Sequence, residues 1–191
     1  MESVGFKEWS IVCEALGWGL QSIILRKGGI AEGREGFSFR HPEFFLFPTH
    51  FHEQLEKVRR IDISFPKPDA TKIDIKYFAR IENTRVIASW AAAEALEPLH
   101  VLRPEVVRQR FEYDRALGIH VALVRVFRVE PVWTIVNEKK YGGCRSWVNL
   151  PEPPTNLCLK AVLSDAEHDS HRPVFNAAPT RPAHPRAVPI S

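Results

Sequence analysis

Three observations along these 191 residues predict an α+β fold with a mainly antiparallel, barrel-like sheet and several short helices. Lys72 to Ile81 alternates apolar and polar side chains, the mark of a strand with one face buried. Ile119 to Val129 is apolar on both faces, as a central strand should be. Helical spacings occur singly between such runs, the order of an α+β chain and not of a regular βαβ repeat.

Element by element, Phe6, Trp9, Cys13, Leu16 and Leu20 recur every three or four residues and predict an amphipathic first helix ended by Gly17 and Gly19. Ile23 to Leu25 reads as a short buried strand. Phe37 to Phe47 reads as a second strand, with Phe44-Phe45-Leu46-Phe47 its most apolar run. Pro48-Thr49 then offers a stop and an N-cap for a short helix striped by Phe51, Leu55 and Val58. Ser89 caps a helix running through Leu96, and Pro104 suits the first turn of another through Phe111. Trp133 to Val136 and Trp147 to Leu150 read as two further strands.

Composition narrows the classes. A hydrophobic fraction of 45% and a charged fraction of 26% suit an ordinary globular protein. No apolar run reaches the ~20 residues that cross a bilayer, and the start of the chain lacks a secretory pattern. Cys13, Cys144 and Cys158 are too few and too scattered for a disulfide framework or a zinc site, so a reducing cytoplasm is expected, with no membrane contact. Proline recurs so often after Ser170 that residues 170–191 read as a disordered tail on a single 1–169 domain. The net charge of +3 neither demands nor forbids a nucleic-acid partner.

Glycine beside charge marks the candidate site. Arg26-Lys27-Gly28-Gly29 follows a buried strand and suits an anion held by backbone N–H groups and two cations; a hairpin turn with solvated charges is the plainer alternative. Tyr141-Gly142-Gly143-Cys144-Arg145-Ser146-Trp147 combines a cation with two aromatics that could stack on a base, or could equally plug the core. His50 and His52 lack partners at metal spacing, so no metal is assigned; His52 is taken as a polar member of the Arg26 site. Arg125 interrupts an apolar face and needs an anionic partner, for which Glu8 and Glu14 are the candidates. Asp74-Ile75-Lys76, with Asp62 or Asp69 upstream, is a short match to the PD-(D/E)XK nuclease pattern.

Four stretches in order carry a family resemblance: Lys7-Glu8-Trp9 leading to Cys13-Glu14-Ala15-Leu16, then Leu25 to Ile30, then Phe45 to Thr49 followed by His52, and last Tyr141 to Trp147. With them the chain resembles a bacterial family catalogued as domain-of-unknown-function family 1802. The resemblance implies one shared unit across residues 6–165 and names no activity, reaction or cofactor. The functional expectation is a module, by fold-level analogy a PUA-like barrel, that binds nucleic acid or a nucleotide. Its site would comprise Arg26, Lys27, Gly28, Gly29, His52, Arg125, Tyr141, Gly142, Gly143, Arg145 and Trp147. The alternatives are a Mg²⁺-dependent nuclease or phosphoesterase using acidic residues among Glu8, Glu14 and Asp74, or an interaction factor without catalysis.

Overall fold

A computed structural model describes residues 2–27, 37–50, 54–59, 69–113 and 118–178. Seven strands form one sheet: β1 (Val4–Trp9), β2 (Ile23–Arg26), β3 (Glu43–Thr49), β4 (Lys72–Ile87), β5 (Ile119–Val136), β6 (Trp147–Asn149) and β7 (Cys158–Ala161). Pairing runs in the order β2-β5-β4-β3-β1-β6, with β7 added to β5. β1 and β3 run parallel, and the other pairs are antiparallel. The α+β class and mainly antiparallel sheet are therefore as expected. The barrel is not closed by backbone pairing, because β2 and β6 end the path.

The first segment departs from the expected helix. Val4 to Trp9 is β1, and the helix α1 begins only at Ser10 and ends at Gly17. Val4 and Phe6 fit a strand period as well as Phe6 and Trp9 fit a helical one, and pairing with β3 and β6 decides for the strand. The apolar run in β3 is buried on both faces. Phe44 and Leu46 enter one core with α1, while Phe45 and Phe47 enter a second with Phe78 and Trp133. β3 also continues through Pro48 and Thr49, where a helix start was expected; Gln54–Lys57 is a single 3-10 turn.

The β4–β5 register shifts between the pairs Ile75–Trp133 and Tyr77–Arg128, the surplus residues lying on β5, and the faces of β4 exchange there. Ile73 and Ile75 therefore serve the second core, whereas Tyr77 and Ala79 serve the first. β5 runs on through the stretch read as a separate strand at Trp133 to Val136. Two helices match expectation. In α2 (Trp90–Glu94), Ser89 accepts from the Ala92 amide, and α3 (Pro104–Phe111) starts on its proline.

The segment assigned to a tail from residue 170 begins inside the fold. α4 (Asp165–Asp169) is followed by α5 (His171–Ala177), whose Phe175 is fully buried. Arg85 donates to the carbonyls of Phe175, Asn176 and Ala178 and lies 5.0 Å from the Phe175 ring centre. Pro173 sits near the start of α5, where a missing N–H costs little. Residues 179–191 lie outside the described residues.

His100 gives the fold a pH dependence. Burial, followed by the fields of Arg59 and Arg110, pushes its imidazole down to about 3 from 6.5. Between those values the unfolded chain binds a proton that the folded chain does not, so stability rises with pH across this window. His100→Gln is expected to flatten that part of a denaturation profile by a few kcal/mol, on the order of what a shift of this size carries. Parallel wild-type and variant profiles from about pH 3 to 6.5 would contradict the assignment.

Candidate functional site

The two ends of the sheet meet through side chains. Arg26, the last residue of β2, donates from Nε (3.1 Å) and Nη2 (2.9 Å) to Ser146 Oγ, just ahead of β6. Its guanidinium also lies 5.4 Å from the centre of the Phe6 ring on β1. The first glycine-flanked segment is thus joined to the second.

Around this contact, Lys7 is buried and donates from Nζ to the carbonyls of Gly142 (3.1 Å) and Gly143 (3.0 Å). Burial draws its pKa down, Cys144 opposes this, and Arg26 and Arg145 add to it. Gly143 adopts φ +79°, which only glycine takes without strain, and so turns its carbonyl toward the lysine at no conformational cost. Arg110, on α3, donates to the Leu25 carbonyl (2.8 Å) and stacks 4.3 Å from the centre of the Trp9 ring. Its Nη2 lies 3.8 Å from Glu8 Oε1. Burial lowers the Arg110 pKa, Glu8 raises it, and Arg26 lowers it. Glu8 is 1% exposed; its Oε1 accepts from the Trp9 amide (2.8 Å), while its Oε2 has no partner.

The expected site residues divide. Arg26 joins the loop 142–147, and the exposed Arg145 stands beside Ser146. Lys27 is turned to the fold, donating to the carbonyls of Gly118 (2.9 Å) and Phe111 (3.4 Å). Tyr141 is core, 4% exposed with its ring centre 5.3 Å from that of Phe47, so it offers no stacking face. Trp147 is partly buried among Phe6, Phe44 and His41, with ring centres 4.9, 5.1 and 4.9 Å away. Gly28, Gly29 and His52 lie outside the described residues.

Arg125 belongs elsewhere. It donates to the Leu163 carbonyl (2.9 Å) and to Asp165 Oδ1 (2.7 Å) at the start of α4. Glu8 faces Arg110 instead, and Glu14 accepts from Lys76 (2.7 Å) and the Tyr77 hydroxyl (2.7 Å). Asp74 accepts from Thr134 at an exposed position. Among the described residues no group of three His, Cys, Asp or Glu could hold a metal ion, so the nuclease pattern gathers no carboxylate cluster there.

Lys7, Arg110 and Ser146 were not singled out as site residues from the sequence, and Glu8 was named only as a partner for Arg125 or a nuclease carboxylate. A signal for Arg110 was present: Val107, Arg110 and Phe111 share one face of α3, which places a cation among buried side chains.

An open, curled, mainly antiparallel α+β sheet clasped at its two ends by a cationic cluster is the class of protein these observations define. The chain belongs to the family described as Domain of unknown function (DUF1802), whose model matches residues 5–172. No curated protein matches the chain. Among solved structures it is similar to the crystal structure of a mutant form of the ZmASCH protein from Zymomonas mobilis. That likeness has TM-score 0.43 and 13% identity, covers 90% of this chain and 94% of that one, and carries no argument about function. No helix among the described residues is long and apolar enough to cross a membrane.

Proposed function

We propose that this chain binds nucleic acid or a nucleotide through phosphate, at the seam between β2 and the loop 142–147. The observation that carries the reading is the Arg26–Ser146 contact, which gathers Lys7, Arg26, Arg110 and Arg145 at one end of the sheet with the Glu8 carboxylate. Clustered cations in a partly desolvated setting attract a polyanion more strongly than dispersed ones. Arg26 is partly exposed and spends its donors on a neutral hydroxyl. A phosphate would be the stronger acceptor for that guanidinium.

Fluorescence anisotropy with labelled single- and double-stranded RNA and DNA over a salt series tests the reading. The logarithm of the affinity should fall linearly with log salt, at about −0.7 per phosphate contact on a single strand. Arg145→Ala, at an exposed position, should reduce that slope by about 0.7, the share of one phosphate contact, while leaving the melting temperature unchanged. Salt-independent binding, or none to any of the four probes, would overturn the proposal; Mg²⁺-dependent cleavage of a probe would replace it with the nuclease reading.

A further inference from the structure

Two buried polar atoms at this end of the sheet have no partner, and they are of opposite kind. Glu8 Oε2 is an acceptor, and Trp147 Nε1–H is a donor. They are neighbours by register. Trp147 pairs with Phe6 across β1 and β6, and the two rings meet edge to face. Glu8 lies two residues beyond Phe6, on the same face of β1 by strand alternation. Diagonal cross-strand neighbours of this kind stand roughly 7–8 Å apart, within the span of a flat heterocycle and the hydrogen bonds at its edge.

The polar groups around them are satisfied: Glu8 Oε1 by the Trp9 amide, Lys7 by two carbonyls, and Arg110 by the Leu25 carbonyl. Leaving a buried donor and a buried acceptor unpaired carries an uncompensated desolvation cost, which a ligand presenting the complementary pair would remove.

We infer that Glu8 and Trp147 read the edge of a nucleobase carrying an exocyclic amino group, with the adjoining cations taking its phosphate. This rests on the phosphate reading above. A carboxylate oxygen accepts from an amino group such as cytosine N4, and the indole N–H donates to a ring acceptor beside it. Uracil presents a carbonyl oxygen where cytosine presents that amino group, so it sets two acceptors against each other. Glu8 therefore selects cytosine over uracil.

Competition by cytidine and uridine monophosphate against a labelled single-stranded RNA tests the assignment. The cytidine nucleotide should compete about tenfold better. Glu8→Gln keeps an oxygen for the Trp9 amide and supplies an N–H to the base, so it should bring the two nucleotides to parity with the salt slope unchanged. Trp147→Phe keeps the ring and removes the donor; it should weaken the cytidine nucleotide, whose ring N3 accepts, and not the uridine nucleotide, whose N3 carries a hydrogen, without altering the slope. Equal, salt-sensitive competition by the two nucleotides against the wild-type chain would overturn this inference and leave the phosphate reading standing. Failure of the RNA probe and of both nucleotides to bind would overturn both. Should Glu8→Gln fail to fold, the wild-type ratio and Trp147→Phe still decide the matter.

Discussion

Gly17→Ala should destabilise the protein by about 2–3 kcal/mol, the scale of overpacking in a core that cannot relax. A Cβ at position 17 would lie 2.0 Å from Tyr77 Cζ and 2.1 Å from Cε1, far inside contact distance. The ring has nowhere to go. Tyr77 is 8% exposed, and its hydroxyl donates to Glu14 Oε2 at 2.7 Å, while Lys76 holds the other oxygen of the same carboxylate at 2.7 Å. Burial, and then Glu14, raise the Tyr77 pKa, so the phenol stays a donor at neutral pH. Alanine gains at most about 1 kcal/mol over glycine in helix propensity, less at the last turn, so the overlap wins. Urea denaturation measures the loss, and Tyr77→Leu in the same chain should recover part of it through non-additivity. An unchanged midpoint would show that the ring can step aside.

Arg110→Met should cost about 3–5 kcal/mol, the range for breaking a buried ion pair from one side. The variant deprives the Leu25 carbonyl of its donor and Trp9 of its stacked cation, and it removes the charge nearest a carboxylate that is 1% exposed. Adding Glu8→Gln to Arg110→Met should recover much of the loss by removing the stranded charge. Lysine should rescue poorly, because a point charge cannot both stack on the indole and reach the carbonyl. A single variant that unfolds at the parent's urea midpoint would show that Arg110 is dispensable to the fold.

How much of this was legible in the sequence depends on whether local pattern or distant pairing decides. Pro104 to Phe111 and Ser89 onward carry their own start signals, and the first half of β5 is apolar apart from His120 and Arg125, so these elements were readable. Phe6 and Trp9 fit a helical period equally well, and only pairing with Phe45 to Thr49 and with Trp147 settles that segment as a strand. The register shift ahead of Tyr77 depends on how β4 meets β5, so the exchange of faces in β4 left no local trace. The tail was over-extended because proline density hid Phe175, which Arg85 and the core hold in place. In the site, Arg26 and Arg145 were visible as cations beside glycine. Ser146 was not, since its value lies in meeting a guanidinium 120 positions earlier in the chain. Arg125 was rightly expected to need an anion, but Asp165 supplies it from a helix whose place on the sheet no spacing reveals.

β4 and β5 each run through both hydrophobic cores, entering one with Ala79 and Val121 and the other with Ile75 and Trp133. Neither core can lose its strands while the other keeps them. The protein therefore has no internal boundary along which one half could melt first: a calorimetric scan should show a single transition whose van't Hoff and calorimetric enthalpies agree. Cooperativity here follows from two strands of 16 and 18 residues and not from any contact between the cores.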